Sequence, residues 1–263
     1  MKKKEERRYF DKEWNDMKAS LKAYLQTEQP VDLHHFRVQV KKIRAFLILS
    51  ESTEHHPMLI KHFKPVIKIF KKAGNIRNAY MNLELGKIYK IANHNYINQQ
   101  QDLHSQTSTD FKANSHRYLK EIDRVHEILK AKIKSINNVH ISLFYQNRLH
   151  LVADSLKGIQ FNEQLHTNRK LLKVLLYNYK LTHPVVATSF NVPYLEQVQE
   201  AIGNWHDHVQ AIDLFTGNGL NDKTAVSSLK KQNIKHKTRI TNLTKDMYNQ
   251  ATTTVELPVE QVS

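Results

Sequence analysis

The chain has 263 residues, of which 40% are hydrophobic and 25% charged, so it is long enough to bury a hydrophobic core and its composition argues against disorder. Lysine and arginine number 40 against 25 acids, which gives a net charge of +15 at neutral pH and favours polyanionic partners. The absence of cysteine excludes disulfides and thiolate metal sites.

Signals for export and membrane insertion are missing from the sequence. The first residues carry charges but no apolar segment of the kind found in signal peptides. No apolar run approaches the ~18 residues needed to cross a bilayer. We therefore expect a cytoplasmic protein that makes no membrane contact.

The spacing of apolar residues predicts an all-α protein. Only six glycines and six prolines interrupt the chain, and the segments between them repeat apolar residues with the period of a helix. The predicted helices are 5–28, 32–52, 57–73, 77–104, 111–136, 138–157, 161–182, 193–216 and 222–250.

Several predicted helix boundaries have a specific chemical signal. Asp32 is expected to cap the second helix, Pro57 to lie in the first turn of the third, and Gly74 to close the third in a left-handed conformation. Pro65 lies inside the third helix and is expected to kink it. The polar segment 105–110 is expected to be a loop.

An internal repeat emerges when the two halves of the chain are aligned. The spacing H-x-x-R-x-x-x-K begins at His34 and again at His166, about 130 residues later. Downstream, the segment GNIRN that begins at Gly74 aligns with GNWHD that begins at Gly203. We therefore predict one domain of two related helical repeats. Their bounds are about 5–136 and 137–250, and residues 251–263 are expected to form a flexible tail.

The repeated motif places a row of cations beside the apolar stripe of a helix. At about 100° per residue, the members of a row share one side of the helix, and the first row extends about 15 Å along the axis. The rows consist of His34, Arg37, Lys41 and Arg44 in the first copy, His166, Arg169, Lys170 and Lys173 in the second, and Lys61, Lys64, Lys68 and Lys71 in the third helix.

A single cationic row is usually a solvated helix face that pairs with acids on neighbouring helices, but the recurrence of several such rows favours a surface that binds an anion. Aligned like charges destabilise a helix by a few tenths of a kcal/mol per pair, and the acids of this chain are too few to neutralise them. Arginine binds phosphate as a fork and lysine as a point charge. Histidines with a pKa near ~6.5 would strengthen anion binding as the pH falls. A long, flexible and densely charged anion fits this pattern best.

At these residues the sequence resembles the CHAD family, the conserved histidine α-helical domain. The resemblance covers about residues 5–250, although Lys41 and Lys42 stand where the family usually has arginine and Asn78 where it usually has aspartate. The matching positions are His34, Arg37, Val38, Lys41, Lys42 and Arg44, then Gly74 and Arg77, then His166, Arg169, Lys170 and Lys173, then Gly203 and Asp207.

This resemblance implies two pseudo-symmetric helical bundles with a basic groove or central pore between them. It also implies binding of inorganic polyphosphate without hydrolysis, and through that binding a localisation to polyphosphate deposits. No cofactor and no metal site are predicted. The predicted polyphosphate contacts are His34, Arg37, Lys41, Lys42, Arg44, Arg77, His166, Arg169, Lys170 and Lys173, together with the lysine row Lys61, Lys64, Lys68 and Lys71.

Nucleic acid is the main alternative ligand, because its phosphates would be neutralised equally well by such rows. Base readout or single-strand binding normally places aromatic or amide side chains among the cations. Here Tyr177 lies on the basic side of its helix, but the other aromatics lie on the apolar stripes: Phe36, Phe63, Phe70 and Tyr179. The sequence therefore favours polyphosphate. It leaves open a third alternative, a basic adaptor for acidic proteins.

An enzymatic alternative rests on the segment WHDH at 205–208, which resembles the metal phosphohydrolases of the HD type. Such a site needs further histidines and a distant aspartate that converge on one metal. His206 and His208 point about 160° apart on a helix, and Asp207 is predicted to partner a basic side chain. The sequence has no phosphate-binding glycine loop and no nucleophile elbow. We therefore predict a binding module and no enzyme.

Overall fold

The computed structural model describes residues 3–52, 58–91, 93–187, 189–217, 220 and 222–253. Over these residues it consists of helices joined by short connections and has no strand, which confirms the all-α prediction. The helices are α1 Lys3–Thr27, α2 Pro30–Glu51, α3 Leu59–Ile88, α4 His94–Ala113, α5 Ser115–Lys132, α6 Asn138–Leu156, α7 Glu163–Thr182, α8 Val192–Thr216, α9 Lys223–Thr244 and α10 Met247–Thr252.

The third helix differs most from its prediction. Helix α3 continues through Gly74 to Ile88, so the predicted helix end at Gly74 is wrong. This glycine is buried within the helix, and the guanidinium of Arg37 packs against it. Pro65 lies in the interior of α3, and Pro57 lies outside the described residues.

Two further boundary predictions are wrong. The predicted loop 105–110 is part of α4, because Thr107 satisfies its hydroxyl within the helix by donating to the Leu103 carbonyl and Ser108 is buried. The residue that precedes α2 is Gln29, with Pro30 in the first turn, so Asp32 is not the cap. Instead the Asp32 carboxylate accepts a hydrogen bond from the Thr27 hydroxyl at 2.7 Å.

At the C-terminal end, the predicted helix 222–250 is divided into α9 and α10. Part of the predicted tail is ordered, because Ala251 is buried and its carbonyl accepts a hydrogen bond from the Asn191 backbone amide at 2.8 Å. Residues 254–263 lie outside the described residues. Within the described part of the chain, no helix has an apolar stretch long enough to cross a bilayer.

Two large hydrophobic cores organise the fold. The first is formed by α1 to α5 around Trp14, Phe36 and Phe63. The second is formed mainly by α6 to α10 around Tyr145 and Trp205. Burial of these large side chains supplies the main driving force for folding.

Helices α2 and α7 pack against each other where the two cores meet. The buried side-chain amide of Asn178 in α7 donates a 2.9 Å hydrogen bond to the Ala45 carbonyl in α2. Because α2 and α7 carry the two copies of the cationic motif, this packing brings the two rows next to each other.

Candidate functional site

Six cationic or titratable side chains from three helices interact electrostatically, and we call them the central cluster. Lys41 shows these interactions most clearly, because burial by the surrounding protein and the charges of four other members lower its pKa to about 8. These four charges come from α2, α3 and α7. The members of the central cluster are His34, Arg37 and Lys41 in α2, Arg77 in α3, and Arg169 and Lys173 in α7.

Arg37 is held in place by the backbone and a side chain of α3. Its Nη1 donates a 2.6 Å hydrogen bond to the Phe70 carbonyl, and its guanidinium lies 4.1 Å from the centre of the Phe70 ring. Burial and the charge of Arg77 lower the pKa of Arg37 to about 10. The guanidinium also lies against Gly74, since a methyl group on that glycine would be 2.5 Å from Nη1.

Arg169 is held by α8 in a corresponding manner. Its Nε donates a 3.1 Å hydrogen bond to the Gln199 carbonyl. A methyl group on Gly203 would be 2.7 Å from its Nη2. In both copies of the motif, therefore, the arginine lies across a buried helical glycine, which explains why glycine is present in the interior of α3 and α8.

Lys41 and Lys173 complete the cluster, and neither makes an ion pair with another described residue. Burial and the charge of Arg169 lower the pKa of Lys173, whereas Asp207 acts in the opposite direction. Lys41 is exposed to solvent although protein surrounds it closely enough to lower its pKa, a combination typical of a concave surface. Among the residues that the structure describes, no carboxylate lies within ion-pair distance of any member of the central cluster.

The pKa values of the two motif histidines are lowered in the folded chain. Burial and then the charge of Arg77 lower the pKa of His34. Burial and then His206 lower the pKa of His166 to about 4, and the two rings stack with 3.9 Å between their centres. The pKa of His34 therefore lies below the expected 6.5 and that of His166 lies well below it, so at neutral pH both are neutral hydrogen-bonding groups.

Three other predicted contacts are not members of the central cluster. Lys42 pairs with the buried Glu13 at 3.4 Å, and Lys170 pairs with the exposed Glu163 at 3.3 Å. Arg44 is exposed on α2, one turn beyond Lys41. The partner of Lys42 lies in α1, and no spacing along the chain indicates this pairing.

The lysine row of α3 faces solvent. All four of its side chains are exposed. The pKa of Glu121 in α5 is lowered mainly by its hydrogen bond with Arg124 and also by the charge of Lys68. The charges that shift the pKa values of His34, Lys41 and Lys173 do not include this row. The structure thus brings charged residues of the α2 and α7 rows close enough to shift one another's pKa, whereas the α3 row causes no such shift in these three residues. The members of the α3 row are Lys61, Lys64, Lys68 and Lys71.

A cavity that sequence reasoning missed lies beside the cluster. Its volume is about 210 Å³, and His34 and Arg77 form part of its wall. Most of the remaining wall is apolar and comes from α1, α2 and α3, including Leu33, Ile76 and Met81. No spacing along the sequence could indicate a cavity whose walls come from separate helices.

The segment WHDH does not form a metal centre in the described residues. His206 stacks on His166, whereas Nδ1 of His208 donates to the Asn204 carbonyl at 2.8 Å and its Nε2 lies 2.9 Å from Gln232 Oε1. No group of three or more histidine, aspartate or glutamate side chains converges there so as to hold a metal ion. The donors that an HD-type site needs are therefore not assembled in this part of the molecule.

Comparisons with known proteins agree with this architecture. The CHAD domain model matches residues 8–216, which is more than half of the chain. The crystal structure of the CHAD domain from the plant Ricinus communis superimposes with a TM-score of 0.60 at 15% sequence identity, and the match covers 94% of this chain and 90% of that one. At this identity the likeness is one of fold. No curated protein matches the chain. The chain belongs to the CHAD domain family.

Proposed function

We propose that this chain binds inorganic polyphosphate through the central cluster. The observation that carries the proposal is the convergence of five lysines and arginines from α2, α3 and α7 with no carboxylate paired to them in the described residues. Their mutual repulsion contributes to the low pKa of Lys41. A polyanion would relieve this repulsion, and each phosphate group offers several acceptors to arginine and lysine.

We further propose that the central cluster lines a groove or pore between two related helical bundles. The packing of α2 against α7 and the solvent exposure of Lys41 support a concave site between the two cores. The matching contacts of Arg37 with Gly74 and of Arg169 with Gly203 support a repeat of the same unit. A site with cations from both units would follow a linear chain of phosphates.

The aromatic residues favour polyphosphate over nucleic acid. Phe36 and Phe63 are fully buried, and Tyr179 stacks on Phe190 with 4.7 Å between the ring centres. Phe70 lies under the guanidinium of Arg37, and Tyr177 is half-buried, with its pKa raised by burial. Since four of these five rings are buried or already in contact with another side chain, and Tyr177 alone is half-exposed without such a contact in the described residues, the site suits a ligand made only of phosphate.

We propose binding without hydrolysis, in the cytoplasm. Polyphosphate cleavage by a metal mechanism needs converging carboxylate or histidine ligands, and the residues described here offer no such set. The motif histidines His34 and His166 are neutral at neutral pH because their pKa values are lowered, which suits them to donate hydrogen bonds to phosphate oxygens.

The proposal is tested by a double substitution that removes one exposed or half-buried lysine from each copy of the motif. Lys41→Gln with Lys173→Gln should lower the affinity for long-chain polyphosphate by at least about tenfold, because two cations in a crowded site are lost. The matched control is Lys22→Gln with Lys134→Gln, which removes the same charge from exposed positions. Equal losses in both variants would mean that net charge and not the cluster determines binding.

Two further measurements complete this test. A titration of Lys61→Gln with Lys68→Gln shows whether the α3 row adds to binding. Duplex DNA and RNA as competitors, at low and high salt, show whether polyphosphate is the preferred ligand. Release of orthophosphate during incubation with the wild type would contradict binding without hydrolysis.

A further inference from the structure

Helix α9 carries a second concentration of positive charge. It has six lysines and arginines over 22 residues and no aspartate or glutamate. All six side chains are exposed, and no ion pair joins any of them to a carboxylate in the described structure. The six cations are Lys223, Lys230, Lys231, Lys235, Lys237 and Arg239.

This charge is not required by the position of the helix in the fold. Helix α4 follows α3 and packs against it, as α9 follows α8 and packs against it. Yet α4 contains Asp102, Asp110 and Lys112 as its charged residues. A helix in the corresponding place in the order of elements is therefore close to neutral, and the basic character of α9 needs another explanation.

The cost of the unpaired charge also calls for an explanation. Like charges three or four residues apart on a helix repel each other and destabilise it. Lys231, Lys235 and Arg239 follow one another at that spacing. The CHAD domain match ends at residue 216. The cations of α9 thus lie beyond the part of the chain that the family pattern covers.

Helix α9 is connected to the second copy of the cationic motif by a series of ring contacts. Lys237 Nζ lies 5.2 Å from the centre of the Phe161 ring, which contacts Trp205. Trp205 in turn contacts His206, and His206 stacks on His166. One edge of α9 therefore adjoins the start of α7, where the second cationic row begins.

We propose that α9 is a second polyanion-binding surface, which engages a polyphosphate chain that extends beyond the central cluster. This inference rests on the proposed function. The helix is about 33 Å long, and its axis lies within about 20 Å of that of α7, at two interaxial spacings. A long flexible chain can reach both surfaces, whereas a short one occupies the central cluster alone. Binding at two linked surfaces raises the affinity for long chains selectively.

The experiment compares two ligands and two variants of the full chain. The test variant is Lys230→Gln, Lys231→Gln, Lys235→Gln and Arg239→Gln. The matched control is Lys3→Gln, Lys4→Gln, Arg7→Gln and Arg8→Gln, which removes the same charge from exposed positions of α1. The ligands are tripolyphosphate and long-chain polyphosphate, and circular dichroism verifies that each variant is folded.

We expect the α9 variant to bind long-chain polyphosphate about tenfold more weakly, with a smaller salt dependence, and tripolyphosphate as the wild type does. The α1 variant should bind both ligands as the wild type does. Unchanged affinity of the α9 variant for long chains, or an equal loss in both variants, would overturn the inference and leave the central cluster intact. Failure of the wild type to bind either ligand would remove the proposed function and this inference together.

Discussion

The guanidinium of Arg37 lies so close to Gly74 that a methyl group on this glycine would come within 2.5 Å of Nη1. Arg169 and Gly203 make the same kind of contact, at 2.7 Å from Nη2. Glycine at these places allows each arginine to lie across a helix and reach a carbonyl of that helix. Both arginines are thus held in position before a ligand arrives, which reduces the entropy lost on binding.

Gly74→Ala is expected to separate binding from stability. The added methyl group would displace the guanidinium of Arg37, which is the end of a flexible side chain, and break its hydrogen bond to the Phe70 carbonyl. Alanine is favoured over glycine inside a helix by up to about 1 kcal/mol, so the free energy of unfolding should change by no more than about 1 kcal/mol. Polyphosphate affinity should fall about tenfold, which corresponds to one charge-assisted hydrogen bond.

Urea unfolding and a polyphosphate titration measure the two quantities for this variant. Gly158→Ala is the control, since a methyl group there would contact nothing within 4 Å. Wild-type affinity in Gly74→Ala would show that the position of Arg37 does not matter for binding.

The neighbouring residues Lys41 and Lys42 are expected to respond in opposite ways to the same substitution. Lys41→Gln removes a cation that is repelled by four others, so affinity should fall while stability stays the same or rises. Lys42→Gln removes the nearer of the two lysines that pair with the buried Glu13, since Lys42 lies at 3.4 Å and Lys12 at 4.0 Å. This loss should lower the free energy of unfolding by about 1–3 kcal/mol. Chemical denaturation and titration of both variants check this, and a reversed pattern would show that Lys42 is the more important ligand contact.

Binding is expected to weaken as the pH rises through 8. Lys41 has a pKa of about 8 in the folded chain against 10.5 ordinarily, so it loses its charge in that range, and a bound polyanion would restore the charge by raising the pKa. Calorimetry at pH 8.5 in buffers of different ionisation enthalpy should therefore detect proton uptake on binding. Lys41→Arg is the control, because arginine stays charged and the uptake should be much smaller.

The same shift has a consequence for folding. Between pH 8 and 10.5 the unfolded chain binds more protons at Lys41 than the folded chain does, so this group makes the protein more stable as the pH rises through that window. The effect on stability thus has the opposite sign to the effect on affinity. If Lys41→Gln retained the full rise in stability, the assignment to Lys41 would be wrong.

His166 is expected to make the folded protein sensitive to acid. Its pKa of about 4 in the folded chain lies below the ordinary 6.5, so between these values the unfolded chain binds more protons and stability falls as the pH falls. His166→Gln should therefore lose less thermal stability between pH 7 and pH 5 than the wild type does. His140→Gln, at an exposed position of α6, is the control and should behave as the wild type.

The sequence predicted which side chains share a helix face but not which faces meet. Apolar periodicity identified most helices, because burial of a stripe dictates their spacing. It failed at Gly74, where a local rule for helix ends was overridden by the need to accommodate Arg37. The rows of α2 and α7 could be recognised from spacing alone. Their proximity, and the low pKa values of His34 and His166, result from packing between distant segments.

The buried amide of Asn178 links the two halves of the molecule at the carbonyl of Ala45. Sliding α7 along α2 would break this bond in a place where water cannot replace it, at a cost of about 1–3 kcal/mol. This hydrogen bond therefore helps to keep α2 and α7, and the cations that they carry, at fixed distances from each other. A flexible phosphate chain that bound to this surface would have to adopt the contour of the protein, so the loss of conformational entropy on association would fall on the phosphate chain rather than on the protein.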